Sequence, residues 1–155
     1  MAKKWDVPPL WTLGLAVAAV ALARWLPVGR FDQPFWGWLG LLVMADGVAI
    51  VIWCAAWFRR VKTTIDPRGA PTTLIVEGPY RISRNPIYSG MALFLLGWGL
   101  WLGAVSALLV PFVFAAIITN RFIRHEEANL KTAFGTGANH YFATTNRWLP
   151  VLTKL

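Results

Sequence analysis

Two stretches place charged and hydrogen-bonding residues at close spacing beside long apolar runs. Residues 77–90 read EGPYRISRNPIYSG, and residues 121–135 read RFIRHEEANLKTAFG. The first surrounds Asn85-Pro86 with Tyr80, Arg81, Arg84 and Tyr88. Asparagine is a favoured N-cap and proline suits the first helical position, so a helix is predicted to start at Pro86. The free N–H groups and positive dipole end of such a start attract a carboxylate or phosphate. The second stretch offers Glu126 and Glu127 on the first turns of a predicted amphipathic helix marked by Phe122, Ile123, Leu130 and Phe134. Adjacent carboxylates among cations can hold an ammonium or a sulfonium. Each stretch taken alone also has a plainer reading. One is a capped helix with snorkelling arginines; the other is a solvated helix with an i,i+4 ion pair from Glu127 to Lys131.

The elements that must position these residues are membrane spans. The 155 residues are 57% hydrophobic and include ten tryptophans, with 14% charged against about 25% in typical globular proteins. A single domain, residues 1–155, fits this length. The net charge of +8 sits beside apolar runs, which favours anionic lipid headgroups and topology signalling over nucleic acid. The one cysteine, Cys54, excludes an internal disulfide. The start, MAKKW followed by apolar Leu13–Leu22, resembles a signal peptide. Arg24-Trp25 reads equally well as an interfacial anchor, and a retained first span is preferred.

Leu10–Leu26 and Phe35–Phe58 are the first two predicted spans, the second with tryptophans toward its ends. A polar connection runs from Arg59 to Asn85, turn-rich at 66–71 and with a short extended piece at 72–78. From Ile87 to Ile118 no residue is charged. A straight helix of that length would run about 48 Å, against a hydrocarbon core of roughly 30 Å. The run must fold back, with Gly103–Ser106 as the predicted turn between spans 87–102 and 106–122. The expected fold is therefore an all-α integral membrane protein of four spans with a cytoplasmic amphipathic C-terminal helix. Thirteen of the 15 basic residues lie before span one, in the second loop and in the tail. The positive-inside rule puts those segments, and both termini, in the cytoplasm. Asp46 lies near the middle of span two, where a charge is expensive, and is expected to face the bundle interior. It is the candidate for contact with a substrate headgroup.

Read together, the two stretches resemble the isoprenylcysteine carboxyl methyltransferase and phospholipid methyltransferase superfamily over about residues 74–150. The resemblance rests on Gly78, Pro79, Tyr80, Arg81, Arg84, Pro86, Tyr88, Gly90, Glu126, Glu127, Leu130, Phe134, Gly135, Tyr141, Arg147, Trp148 and Pro150. The chain departs from the family's pattern at Asn85, where histidine is usual, and at Ala138, where a tyrosine is usual. The resemblance implies a membrane-embedded enzyme that uses S-adenosylmethionine. It assigns catalysis to Arg84, Asn85 and Glu126, and the cofactor to Gly78, Pro79, Tyr80, Arg81, Asn85, Tyr88, Glu127, Arg147 and Trp148. The cofactor's ammonium suits Glu126 or Glu127, and its adenine Tyr80, Tyr88 or Trp148. Tyr141 joins Asp46 as a substrate candidate, and no metal ligands are assigned. The implied acceptor is a lipid or lipid-like amphiphile, a phospholipid amine or an isoprenylcysteine-type carboxylate. A small thiol is an alternative, as are a non-catalytic basic lipid-binding protein and a sterol-reductase-like enzyme. The implied partners are membrane lipids, and the implied location is the bacterial inner membrane.

Overall fold

A computed structural model describes residues 6–31, 34–61 and 73–148. They form six α-helices: α1 Pro8–Trp25, α2 Pro34–Val61, α3 Pro86–Leu102, α4 Val110–Ile118, α5 Arg124–Phe134 and α6 Thr136–Thr144. Proline opens α1, α2 and α3, where its fixed φ is already helical and its missing N–H costs no bond. The helix predicted from Asn85-Pro86 is present. The fold-back also lies where expected: α3 ends on Gly103, whose left-handed φ of 67° turns the chain. A 3-10 turn, Val105–Leu109, then leads into α4. A π-helical turn, Thr119–Ile123, joins α4 to α5 without a break.

Among the described residues three apolar stretches are long enough to cross a membrane: Pro8–Trp25, Pro34–Arg60 and the continuous Val105–Phe134. The fourth apolar helix, α3, has 17 residues. No strand occurs among the described residues, the 73–77 segment included. One antiparallel bridge, Arg30 with Ala104, ties the α1–α2 loop to the hairpin turn. Phe31 N donates to Gly103 O at 3.0 Å, and Val105 N to Gly29 O at 3.0 Å.

Helix α3 is the hub, packing against α1, α2 and α4. Its contact with α2 is a seam of glycines seven residues apart, Gly40 and Gly47 against Gly97 and Gly90. A Cβ on Gly47 would lie 2.5 Å from Gly90 O, and one on Gly97 would lie 2.5 Å from Gly40 O. Seven-residue spacing keeps the close approach on one line along both helices. Buried Cys54 continues that line on α2. The opposite side of α3 carries Tyr88 and Leu95 into a core with Ala19, Ala23, Phe114, Ile118 and Ile123. Trp98 Nε1 donates to Ala16 O at 3.1 Å, fixing α3 against α1.

A second clamp sits at the base of α5. Arg121, in the π turn, pairs with Asp6 at 2.8 Å. Trp11 Nε1 donates to the other Asp6 oxygen at 2.9 Å. The start of α1 thereby braces the segment that presents Glu126 and Glu127.

The structure corrects one expectation and adds to another. Asp46 is exposed on the side of α2 rather than turned into the bundle, because the glycine face next to it is the one that packs on α3. The amphipathic helix expected over 121–135 is present as α5, and Gly135, with a φ of 51°, separates it from a further helix, α6. The turn-rich stretch at 66–71 and Pro150 lie outside the described residues.

Candidate active site

The first wall is the turn between α2 and α3. Gly78 has a φ of 60°, and its missing side chain lets the Trp57 ring lie against its backbone; a Cβ there would meet that ring at 2.6 Å. Gly78–Arg81 forms a single 3-10 turn with Pro79 buried. The Tyr80 ring meets Phe58 edge-on at 5.7 Å. These contacts fix the turn on the end of α2.

The tail is then stitched onto this turn. Tyr141, on α6, donates its hydroxyl to Tyr80 O at 2.7 Å. Arg84 N donates to Asn146 O at 2.8 Å. The Arg147 carbonyl accepts twice, from Asn85 Nδ2 at 2.9 Å and from Ser83 Oγ at 3.2 Å. Ser83 is fully buried, and its hydroxyl also accepts from Asn85 N at 3.1 Å. Asn85 occupies the N-cap position of α3 but makes no capping bond with its side chain. Its amide is spent latching the tail. An imidazole N–H could reach the same carbonyl, so asparagine keeps the donor and gives up the titratable ring.

Across this latch lies the charge cluster. Glu127 takes a bidentate contact from Arg147, with Nε at 3.0 Å and Nη2 at 2.7 Å. It also pairs with Arg84 Nη1 at 3.2 Å. The side chains of Glu127 and Arg84 are 12% and 14% exposed, so both are largely dry, while Arg147 at 37% reaches solvent. Burial pulls the Arg84 guanidinium below its ordinary range, opposed by the Glu127 carboxylate. The hydrogen bonds from Arg147 to Glu127 push Arg147 up. Burial raises the Tyr80 and Tyr141 hydroxyls, which therefore stay neutral. The Arg84 guanidinium lies 4.6 Å from the centre of the Phe142 ring, which sets its plane. Tyr88 donates to Glu126 Oε1 at 2.7 Å.

The two carboxylates are therefore not equivalent. Glu127 is neutralised by two arginines, whereas Glu126 has only a neutral hydroxyl. Arg84 Nε is buried with no partner. Arg84 thus keeps a spare buried donor, and Glu126 is a carboxyl group with no cation partner among the described residues. A carboxylate would suit the first and an ammonium the second.

A family model described as phospholipid methyltransferase matches residues 35–137, well over half of the chain. This chain belongs to the phospholipid methyltransferase family. It is 28% identical over 142 residues to the cobalt-zinc-cadmium resistance protein CzcN of Cupriavidus metallidurans, covering 92% of this chain and 61% of that one. It is 36% identical over 63 residues to an uncharacterized protein of Haemophilus influenzae, covering 41% of this chain and 100% of that protein. No solved structure matches the chain significantly. The family match ends before Tyr141, Arg147 and Trp148, yet these fold back onto it.

In this phospholipid methyltransferase family member the structure brings together Gly78, Pro79, Tyr80, Arg84, Asn85, Tyr88, Glu126, Glu127, Tyr141 and Arg147. Trp148 packs on the core beside them. Arg81 is exposed at the end of its turn, and Asp46 stands apart on α2. His125 and His140 are exposed on α5 and α6. Among the described residues no group of three or more His, Cys, Asp or Glu is placed to hold a metal. Sequence reasoning passed over Ser83, Phe58 and Phe142. Only the apolar Phe142 beside Tyr141 carried a local signal, as a possible inward face of a tail helix.

Proposed function

We propose that this chain is an integral membrane methyltransferase that takes S-adenosylmethionine as donor and methylates a lipid or lipid-like amphiphile at the cytoplasmic face. The observation that carries this reading is the unequal pair of carboxylates: Glu127 locked between two arginines and Glu126 left with one hydroxyl, while Arg84 Nε is buried without a partner. In this reading Arg84 Nε receives the carboxylate of the donor and Glu126 receives its ammonium. Tyr88 holds Glu126 in place. When bound, the cofactor supplies a methyl group on a positively charged sulfur.

The residues then work by position. Tyr141, Asn85 and Ser83 close the tail over the turn and exclude water from the cluster, which strengthens each charge-assisted contact there. Holding donor and acceptor in line is the main rate effect open to such a site. The acceptor in this reading is a phospholipid amine or an isoprenylcysteine-type carboxylate. It enters from the bilayer beside α2, whose end packs on the Gly78–Arg81 turn.

All four apolar helices cross the membrane in this proposal. The 17 residues of α3 are at the short end of the range for a span, about 17–25 residues. Its ends, Asn85 and Gly103, then mark the two membrane surfaces. Both termini and the charge cluster lie on the side that carries most of the basic residues, the cytoplasm, and the membrane is a bacterial inner membrane.

Calorimetry on the detergent-solubilised chain tests the cofactor. Saturable binding of S-adenosylmethionine is expected, with none of a nicotinamide cofactor. Glu126→Gln should weaken it by about 10- to 150-fold, the worth of roughly 1.5–3 kcal/mol for a hydrogen bond to a charged group. A folded wild-type chain that binds no S-adenosylmethionine would overturn the reading.

A further inference from the structure

The cluster accounts for Arg84 Nε but leaves a second unsatisfied donor unexplained. Trp57 Nε1 is buried and has no hydrogen-bond partner. A buried, unpaired N–H is costly, and native chains seldom keep one without a use. Trp57 lies on the α2 flank of the Gly78–Arg81 turn, while Tyr141 holds that turn from the α6 flank. The unused donor belongs to a ring that meets the turn at Gly78, whereas Tyr141 meets it at Tyr80 O.

The surroundings of this ring are cationic. The Arg60 guanidinium stands 5.6 Å from the centre of the Trp57 ring, one helical turn further along α2. Arg59 and Arg60 are both exposed where the apolar run of α2 ends, and Arg81 is exposed at the end of the turn that Trp57 supports. Tryptophan at the end of an apolar helix, with arginines just beyond, is the arrangement found at a membrane–water interface. An indole N–H and a guanidinium on one ring are both donors. The ligand that satisfies both is an acceptor with negative charge.

We propose that Trp57 Nε1 and Arg60 form a subsite for a phosphate oxyanion, the phosphodiester of a lipid headgroup lying beside α2. The N–H is enclosed in the arrangement described, so the ligand enters as a covering side chain moves. Arg60, exposed on a flexible stem, is the side chain that swings with the headgroup. Gly78 is part of the device: any side chain there would push the indole away from the turn. The subsite is independent of whether S-adenosylmethionine binds, so its test stands apart from the test of the methyltransferase reading.

The experiment measures thermal unfolding of the full chain in phosphate-free maltoside micelles. Three additions are compared: dioctanoyl phosphatidylglycerol, inorganic phosphate and dioctanoylglycerol. The phosphodiester lipid is expected to raise the wild-type midpoint by several degrees, and dioctanoylglycerol, which lacks phosphate, to leave it unchanged. Trp57→Phe removes the N–H while keeping a ring. It is expected to lose at least half of the lipid-induced rise, measured from its own baseline. Arg60→Gln is expected to lose a similar share. A rise with inorganic phosphate that also needs Trp57 would support the oxyanion subsite and identify free phosphate as a source. Full lipid-induced stabilisation in both variants, or an equal rise with dioctanoylglycerol, would overturn the proposal.

Discussion

Glu127→Gln is expected to lower thermal stability and abolish cofactor binding together. The carboxylate is the shared anion of Arg84 and Arg147, and its removal leaves two guanidinium groups facing a neutral amide. Breaking a buried pair by removing one partner costs about 3–5 kcal/mol. Arg147 is 37% exposed, and solvent screens its share, which favours the lower end of that range. At about 2–4 °C per kcal/mol for a chain of this size, the midpoint should fall by roughly 6–12 °C. The double variant Glu127→Gln with Arg147→Gln removes one of the stranded cations. It should recover part of the stability without recovering binding. Melting of Glu127→Gln at the wild-type temperature would reduce the cluster to a surface ion pair.

Gly47→Ala should separate α2 from α3. The added Cβ would sit 2.5 Å from Gly90 O and 2.7 Å from Phe94 N, both backbone atoms that cannot rotate away. Alanine is the better helix former by about 1 kcal/mol, but overpacking a tight contact costs about 1–3 kcal/mol or more. Here the clash is with backbone along the whole seam, so it prevails. Gly37, on the same helix, has nothing within 4 Å of its Cβ position. Gly37→Ala is therefore the control and should be neutral or slightly stabilising. Thermal melts of the two variants decide the matter. A Gly47→Ala chain as stable as wild type would mean that the helices do not meet at this seam.

What the sequence revealed of this molecule was local. The start of α3 follows from Asn85-Pro86, and the fold-back at Gly103 follows from the length of the uncharged run. Both depend on neighbours within a few residues or on the thickness of a bilayer. The pairing of Glu127 was not legible, because Lys131 is its nearest cation along the helix. The partners it takes, Arg84 and Arg147, are distant in sequence but are brought together when the tail docks, and the dry pair prevails over the solvated one. Asn85 takes the expected N-cap position, but its side chain donates to the Arg147 carbonyl instead of capping. The residue type favours a cap, but docking of the tail brings the Arg147 carbonyl within reach of the Asn85 amide. Asp46 faces outward because Gly47 beside it fixes which side of α2 packs, and that pairing becomes visible only when Gly90 and Gly97 are opposite. That Glu126 and Glu127 are adjacent and lie among cations is legible in the sequence. Their division into one locked and one available group required the folded geometry.

The most direct test of the account is transfer of methyl. The purified chain is incubated with S-adenosylmethionine labelled in its methyl group and a total membrane-lipid extract, and the lipids are then separated by chromatography. The account predicts label in a discrete lipid fraction, dependent on the chain and lost in Glu126→Gln. A wild-type chain that melts cooperatively yet transfers no label to any lipid would contradict it.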